Sequence, residues 1–340
     1  MLTAQVIRDN RPLLVLIGPT SIGKSRVAID VAKAIETDVL TADSRQVYRG
    51  MDIGTDKPTM DQRQGIPHRL IDMVDPDQPF NVGDYRRHAV REITRLHGEG
   101  QIPIVAGGTG LYVRAIVRGL WPGPAADWTL RKQLNQQASE RGPNSLYQEL
   151  IRVDPIQAGH IHPHDHPKIQ RALEVYRLLG VPLSEAHHQH AFQESPYRAL
   201  IIGLTMERDA LYRRIEDRVE LELEKGLVQE TTQLLDQGYH RKLGSMKSLG
   251  YRQLAGFLFG EYTYTEAVRQ LKRDTRHFAK RQMTWFRKEP SLHWLHIENS
   301  DTATQIAERI LAQLQEFLAT LPRHPVSKQH ISGTVTVGGS

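Results

Sequence analysis

Residues 18–25 form a loop whose composition suits phosphate binding. They read GPTSIGKS and fit the pattern G-x-x-x-x-G-K-[ST]. Glycines let the backbone approach a phosphate with its N–H groups pointing inward, and the N-terminus of a following helix adds about half a positive charge. In such loops the lysine binds phosphate oxygens and the last hydroxyl contacts Mg²⁺. The motif therefore predicts a pyrophosphate site, with a loop that matches by chance as the alternative.

The residues on both sides of this loop support that interpretation. The apolar run 13–17 precedes it, and a helical pattern at 27–32 follows it. Strand, glycine loop and helix in this order are the context that a P-loop requires. The sequence favours a phosphate site here but does not identify the molecule that carries the phosphate.

Asp43 is the acidic residue best placed to act beside the loop. It follows a predicted strand, and ligands bind beyond the carboxyl ends of parallel strands. Its carboxylate could bind Mg²⁺ or accept a proton from a nucleophile, and a helix N-cap is the structural alternative. The strand at 102–106 ends in Gly107-Gly108-Thr109-Gly110, without a carboxylate. Because ATP-hydrolysing P-loop proteins hold Mg²⁺ with a strand-end carboxylate, a motor or switch is disfavoured.

Alternating apolar runs and helical patterns predict the scaffold that positions these residues. Such alternation is typical of a parallel sheet with crossover helices. Strands are predicted at 13–17, 38–41, 68–73, 102–106 and 199–204. Long helices are predicted at 208–237, 264–286 and 302–318.

The predicted sheet is interrupted once along the chain. After the breaker Pro122-Gly123-Pro124, helical stretches follow at 130–138, 144–152 and 169–179. We therefore expect an α/β fold, a P-loop parallel sheet core with helices on both faces, a mainly helical insertion and C-terminal helices. The core comprises residues 1–120 and 196–320, the insertion residues 121–195, and a polar, disordered tail residues 321–340.

The bulk composition is that of an ordinary globular protein. The chain has 340 residues, 39% of them hydrophobic and 24% charged. With no cysteine it has neither a disulfide nor a thiolate metal site. It shows no apolar run of about 20 residues, which a membrane helix needs, and no signal-peptide core. We expect a cytoplasmic protein.

The positive charge of the chain is concentrated late in the sequence. The net charge is +5, and residues 261–290 carry eight Lys or Arg against four Asp or Glu. Arg269, Arg273, Arg276 and Lys280 share one face of a predicted helix, and Trp285 follows them. This pattern favours an RNA-binding surface, and a solvated helix that ends in core aromatics is the alternative.

Eight sequence strings, in order along the chain, resemble the bacterial tRNA dimethylallyltransferases. The resemblance covers the chain from about residue 13 to about residue 318. The strings are GPTSIGKS at 18–25, ADSRQVYRGMDIGTDKP at 42–58, HRLIDMVDP at 68–76, GGTGLY at 107–112, IHPHDHPKIQRALEV at 161–175, RIEDRV at 214–219, SLGYRQL at 248–254 and KRQMTWFR at 280–287.

This resemblance implies the reaction and the residues that perform it. The family transfers a dimethylallyl group from dimethylallyl diphosphate to the exocyclic amine of the adenosine 3′ of the anticodon, releasing pyrophosphate, with Mg²⁺ as cofactor. It implies catalytic roles for Asp43, Thr109 and Arg218, with Ser25 contacting the metal. The donor would bind Gly18, Pro19, Thr20, Ser21, Ile22, Gly23, Lys24 and Ser25.

The same resemblance assigns partners and a tRNA-binding surface. We expect a monomer that binds the anticodon stem-loop and no obligate protein partner. The residues that match tRNA-contacting positions are Asp43, Ser44, Arg45, Gln46, Thr109, Arg131, Pro167, Lys168, Ile169, Gln170, Arg171, Ser248, Leu249, Gly250, Tyr251, Arg252, Lys280, Arg281, Gln282, Trp285 and Arg287.

Some features depart from the family or leave other interpretations open. His164 stands where the family usually has Asn, and Ser21-Ile22 where Ala-Ser is usual. Histidines at 160, 162, 164 and 166 suggest a metal site, but their spacing lacks a helical pair and prolines interrupt it. A nucleotide kinase that uses the P-loop for ATP, or a non-catalytic RNA-binding protein, are the alternative functions.

Overall fold

Six parallel strands form one sheet in the structure, a computed structural model that describes residues 3–121, 123–142, 144–190 and 196–322, with the backbone alone at 189 and 190. The strands are β1 (Pro12–Ile17), β2 (Val39–Thr41), β3 (His68–Arg69), β4 (Ile104–Gly107), β5 (Arg198–Thr205) and β6 (Leu292–His296). They lie in the order β3-β2-β4-β1-β5-β6. Every pair of neighbours is parallel, which confirms the predicted parallel α/β core.

Helices connect and flank these strands. In chain order they are α1 (Ala4–Asn10), α2 (Lys24–Ile35), α3 (Met60–Arg63), α4 (Val82–Gly98), α5 (Gly110–Val117), α6 (Trp128–Arg141), α7 (Ser145–Val153), α8 (Pro155–His160), α9 (His166–Leu179), α10 (Leu183–His190), α11 (Arg208–Glu224), α12 (Leu227–Asp236), α13 (Tyr251–Leu258), α14 (Tyr264–Phe286) and α15 (Ala303–Ala319). Within the described residues, no helix is both long and apolar enough to cross a membrane.

The central strand β1 is buried on both faces, and successive residues enter different cores. Leu14 and Leu16 pack in a cluster with residues of α2, α11 and α15. Leu13, Val15 and Ile17 pack in a second cluster with residues of α4 and α5. Since successive side chains of a strand point to opposite faces, helices cover both faces of the sheet. The sheet thus holds the loops after β1, β2 and β4 on a rigid edge.

The chain divides into two compact units. The described part of the first unit, residues 3–117 and 196–322, contains the sheet. The second unit begins at Arg118 and ends at Ser195; its helices α6–α10 pack around a separate core that includes Leu134, Leu150 and Leu173. The sequence prediction began this insertion at residue 121. The predicted tail beyond residue 322 lies outside the described residues.

Several element boundaries differ from the sequence-based expectation. The strand predicted at 68–73 ends after Arg69, because Leu70 and Asp72 have positive φ values of 66° and 54°. The helix predicted at 208–237 is two helices, since Gly226 with φ 99° separates α11 from α12. Strand β6 and helix α13 were not predicted. Strand β6 lies at the edge of the sheet beside β5, and of its five residues only Leu295 is buried.

Candidate active site

The glycine loop that the sequence predicts to bind phosphate follows β1 at the carboxyl edge of the sheet. Gly18 and Gly23 have φ values of 156° and 97°, and a Cβ at Gly18 would lie 3.0 Å from the Leu204 carbonyl oxygen. Helix α2 starts at Lys24, and Gly23 gives it no side-chain cap. Its first N–H groups therefore remain available to an anion. The sequence motif explains this conformation, because glycine adopts both backbone angles without strain.

Ser21 contributes an unpaired polar atom to this loop. Its backbone is left-handed, with φ 63°, and its hydroxyl is buried without a hydrogen-bond partner among the described residues. A buried hydroxyl without a partner costs free energy. A bound acceptor group, such as a phosphate oxygen, would remove that cost.

Lys24 lies across the same loop. Its ammonium group donates to the Pro19 carbonyl oxygen at 2.7 Å. The pKa of Lys24 is lowered to about 8, mainly by burial; the charge of Asp43 opposes this shift, that of Arg218 adds to it, and that of Asp56 opposes it. A lysine held in this way gains a strong partner when an anion enters, which favours its charged form.

Arg218, on α11, is far from the loop in sequence but contacts it in the fold. Its Nη1 donates to Thr20 Oγ1 at 2.6 Å, its Nε donates to Glu222 at 2.6 Å, and Asp56 lies 3.5 Å away. Burial alone would lower the pKa of Arg218, but Glu222, Asp56 and Asp43 raise it above its ordinary value. The guanidinium is therefore a fixed positive charge with its plane set by two hydrogen bonds.

Asp43 lies two residues after the end of β2 and shapes the turn there. Its Oδ1 accepts from the backbone N–H groups of Arg45 at 2.7 Å and Gln46 at 3.4 Å. Its Oδ2 accepts no hydrogen bond from the part of the chain that the structure describes. The helix N-cap alternative is wrong, because the next helix, α3, is capped by Thr59. One oxygen of Asp43 thus holds the turn while the other can accept a proton.

Thr109 connects the ends of β2 and β4. Its backbone N–H donates to the Ala42 carbonyl oxygen at 3.1 Å, and its hydroxyl accepts from the Ser44 N–H at 3.0 Å. These bonds fix the residues on either side of Asp43. Thr109 is therefore in a position to set the direction of the Asp43 carboxylate.

Close contacts explain the glycines after β4. A Cβ at Gly107 would lie 2.1 Å from the Ala42 carbonyl oxygen, one at Gly108 2.3 Å from Gln282 Nε2, and one at Gly110 2.0 Å from the indole nitrogen of Trp285. The end of α14 consequently packs directly against this loop.

The segment 248–252 is largely internal. Ser248 and Tyr251 are buried, and the Tyr251 hydroxyl donates to Glu230 at 2.5 Å. Glu230 in turn accepts from the backbone N–H groups of residues 52–54. The Tyr251 ring thus belongs to the core, and the tRNA contact predicted at this residue stays a prediction. Arg252 is exposed and pairs with Asp274.

The predicted tRNA-binding residues of the second unit form a separate cluster. Arg131 and Arg171 both pair with Glu174, whose carboxylate is fully buried, at 2.8 and 2.6 Å. Burial raises the pKa of Glu174, but the hydrogen bonds from both arginines and the Asp127 N–H lower it overall. Ile169 is buried in the core of this unit, and the RNA contact predicted at this residue stays a prediction.

The basic face of α14 is largely neutralised by nearby acids. Arg269 pairs with Glu266, Arg273 with Asp274 and Arg276 with Glu216. Exposed cations concentrate instead at the end of the helix and just after it. They are Lys280, Arg281, Arg287 and Lys288. Of the basic residues that the sequence predicts to face RNA, those in the last turns of α14 are thus exposed, whereas the earlier arginines are paired with acids.

The remaining predicted residues either make hydrogen bonds within their own unit or are exposed. Arg45 is exposed and donates to the Gly244 carbonyl oxygen at 2.9 Å, whereas buried Gln46 donates to the carbonyls of Thr55 and Asp56. Pro167 and Lys168 are exposed at the start of α9, and Gln170 donates to the Arg131 carbonyl oxygen.

A magnesium ion would find few protein ligands here. The described side chains contain no group of three His, Cys, Asp or Glu residues arranged to hold a metal, and this includes the histidines at 160–166. Ser25 offers an exposed hydroxyl in the first turn of α2. Mg²⁺ keeps several waters and is commonly bound through substrate phosphates. The residues present fit such an ion if a diphosphate supplies its other ligands.

Two acidic residues of this site had no assigned role in the sequence interpretation. Glu222 lies four residues after Arg218 on α11, and Asp56 lies in the string 42–58. The four-residue helical spacing of an arginine and a glutamate was an available signal for the first. No spacing rule links Asp56 to Arg218, because their pairing depends on the fold.

The parallel sheet, with the glycine loop after β1 beside Lys24 and Arg218 and with Asp43 just beyond β2, defines an α/β protein of the P-loop type. Comparisons identify the particular family. A family model described as IPP transferase matches residues 46–289. The tRNA dimethylallyltransferase of Geobacter sulfurreducens is 45% identical over 87% of this chain and 95% of that protein. That of Pelotomaculum thermopropionicum is 47% identical over 88% and 95%. The chain belongs to the IPP transferase family.

Solved structures agree with this assignment. A full-length tRNA isopentenylpyrophosphate transferase from Bacillus halodurans is 38% identical, with a TM-score of 0.66 over 90% of this chain and 98% of that chain. A eukaryotic dimethylallyltransferase acting on tRNA is 28% identical, with a TM-score of 0.79 over 92% and 80%. Both the fold and the transferase class inferred from the sequence are confirmed.

Proposed function

We propose that this protein transfers a dimethylallyl group from dimethylallyl diphosphate to the N6 amine of the adenosine adjacent to the anticodon on its 3′ side in tRNA. The observation that carries the proposal is the pairing of two sites at one sheet edge. A phosphate-binding loop with Lys24 and Arg218 lies beside Asp43, whose charge raises the pKa of both cations. The family membership and the names of the relatives support the substrate assignment.

The chemistry requires a proton acceptor and a stabilised leaving group. The amine nitrogen forms a bond to the allylic carbon as the carbon–oxygen bond to the diphosphate breaks, and the nitrogen loses a proton. Asp43 Oδ2 is suited to accept that proton. Pyrophosphate gains negative charge as it leaves, and Lys24, Arg218 and the first N–H groups of α2 can stabilise it.

Magnesium is part of this proposal. Bound Mg²⁺ would neutralise charge on the diphosphate and orient it. Ser25 is the residue that would contact the ion. Thr20 to Ser25 would hold the donor, and Asp43 to Gln46 together with Thr109 would face the acceptor base. The exposed residues near the end of α14 and those of α9 would contact the tRNA.

To bring its amine to Asp43, the base must leave its stack, as in other enzymes that modify bases. An unstacked adenine presents its amine edge, which a paired or stacked base does not. A flexible anticodon loop is therefore a better substrate than a duplex. We also propose that the protein acts in the cytoplasm as a monomer. Light scattering of the purified chain would test its oligomeric state.

The direct test uses radiolabelled dimethylallyl diphosphate and a tRNA with adenosine at the target position. We expect label on the tRNA and one pyrophosphate released for each transfer. Asp43→Asn should lower kcat by about 10²- to 10⁴-fold, the range of a general base, while tRNA affinity stays unchanged. Asp61→Asn, an exposed acid on α3, is the matched control and should keep full activity.

Two results would contradict the proposal. No label on any tRNA, with consumption of ATP on a small nucleoside or nucleotide, would indicate a kinase. No catalysis of either kind by the wild-type protein, with tRNA binding retained, would indicate an RNA-binding protein.

A further inference from the structure

One amide side chain connects the phosphate loop to the loop after β4. Gln282, in the last turns of α14, accepts from the Thr20 backbone N–H at 2.9 Å through Oε1. Its Nε2 donates to the Gly108 carbonyl oxygen at 3.0 Å. Gln282 is only 7% exposed. Both polar ends of its side chain are thus hydrogen-bonded to backbone groups of two different loops.

The chemistry of these two partners selects an amide. Thr20 presents a donor and Gly108 an acceptor, so the side chain between them must accept at one atom and donate at its neighbour. Glutamate would have no proton for the Gly108 carbonyl, and an aliphatic side chain would leave both backbone groups without this partner. The pattern also fixes which end of the amide is oxygen. Gly108 is part of the arrangement, because a Cβ there would come within 2.3 Å of Nε2.

Each of these two contacts continues to a residue that the proposed reaction uses. On the donor side, the Thr20 hydroxyl accepts from Arg218. On the acceptor side, Gly108 precedes Thr109, which holds the Ser44 N–H next to Asp43. Gln282 therefore lies between Arg218 and Asp43. Each link of this chain is either a hydrogen bond or a peptide bond between sequence neighbours.

We propose that Gln282 is a positioning residue that sets the distance between the donor loop and the acceptor carboxylate, and that it does not read tRNA. This rests on the proposed function and replaces the tRNA contact that the sequence resemblance assigned to Gln282. Gln282 is 7% exposed, and backbone groups hold its Oε1 and one of its two Nε2 hydrogens, so little of the amide is accessible to a nucleotide. Exposed neighbours on α14, such as Lys280, would contact RNA in the proposed function, whereas Gln282 faces inward.

The consequence is a specific pattern of kinetic defects. Misplacing donor and acceptor by a fraction of an ångström lowers the rate of transfer, because reaction needs both groups in near-attack geometry. The loop that holds the diphosphate would also lose its fixed Thr20. Binding of tRNA in the absence of donor depends on surface cations and should not change.

The experiment compares Gln282→Met, which keeps the length of the side chain, with Gln282→Glu, which keeps the acceptor and loses the donor. Gln270→Met is the matched control, since Gln270 lies on the same helix and bonds only to Glu266 among the described residues. Four quantities are measured for each: kcat/KM for dimethylallyl diphosphate at saturating tRNA, tRNA affinity without donor, pyrophosphate affinity by calorimetry, and the melting temperature.

We expect both Gln282 variants to lower kcat/KM for the donor by roughly 10- to 100-fold, the effect of losing one or two buried hydrogen bonds. Pyrophosphate affinity should fall about tenfold, and tRNA affinity should stay within about twofold of wild type. If Gln282→Met does not fold, Gln282→Glu decides the question.

Three outcomes would overturn the inference. These are weakened tRNA affinity with unchanged donor kinetics, a lower melting temperature with unchanged kinetics, or defects equal to those of Gln270→Met. Failure of the proposed function is distinguishable, because it would appear in the wild-type protein as an absence of transfer. The pyrophosphate measurement would then still test whether Gln282 holds the donor loop.

Discussion

Replacing Arg218 with lysine tests whether the geometry of this cation, beyond its charge, matters. Two nitrogens of its guanidinium make separate bonds, to Thr20 and to Glu222. A single ammonium group at the end of a lysine can keep at most one of them in the same place. A hydrogen bond that involves a charged group contributes about 1.5–3 kcal/mol. Since about 1.4 kcal/mol equals a factor of ten, Arg218→Lys should lower kcat/KM for the donor by roughly 10- to 150-fold.

The assay measures prenyl transfer at saturating tRNA over a range of donor concentrations. Arg214→Lys is the control, because Arg214 lies one turn earlier on α11 and contacts only Asn299 among the described residues. We expect the control to behave as wild type, and tRNA affinity to be the same in all three proteins. Wild-type kcat/KM in Arg218→Lys, or an equal loss in the control, would refute the reasoning.

Three further predictions follow from the charges of the two units. Burial lowers the pKa of Lys24 to about 8, and the diphosphate binds the charged form. Donor affinity should therefore be constant below that pH and weaken by up to about tenfold per pH unit above it. The pH dependence of the donor KM measures this. Lys280→Ala should reduce the slope of log tRNA affinity against log salt by about 0.7, whereas Arg269→Ala should change it less, since Arg269 is paired with Glu266; equal slopes would contradict this. Glu174→Gln should destabilise the second unit by roughly 3 kcal/mol by leaving two arginines without their buried partner. The two arginines lower the pKa of Glu174, so this stabilisation is present above the ordinary carboxylate pKa and lost as pH falls through the lowered value; denaturant unfolding of both proteins at several pH values checks it.

Local signals in the sequence predicted the parts of the site that are continuous in the chain. The P-loop, the strand before it and the helix after it need only residues 13–35, and their pattern indicates them directly. The glycines after β4 and the acid after β2 follow from the rule that functional residues lie at the carboxyl ends of parallel strands. Helix α14 has the predicted bounds because its apolar residues repeat at helical spacing over its full length.

Contacts between distant segments could not be predicted in this way. The bonds from Arg218 to Thr20 and from Gln282 to Gly108 join residues far apart in sequence. A resemblance placed Gln282 and Tyr251 in RNA-contacting strings, but it could not say which side chains of a string turn inward. On a helix, neighbours in sequence point in different directions, so Lys280 is exposed while Gln282 is buried.

The loop after β4 also explains why this P-loop lacks a strand-end carboxylate. In ATP-hydrolysing relatives of the fold, that position supplies a ligand for Mg²⁺. Here, a side chain at Gly107 would collide with the Ala42 carbonyl oxygen, and one at Gly108 would collide with Gln282. In that space the end of β2, just before Asp43, packs against the loop that follows β4, where the Thr109 N–H donates to the Ala42 carbonyl oxygen. An aspartate introduced at Gly108 would therefore displace Gln282 before it could bind a metal. We expect Gly108→Asp to lose prenyl transfer without gaining ATP hydrolysis, because the same contacts that bring an acceptor carboxylate close to the donor exclude the metal ligand that hydrolysis requires.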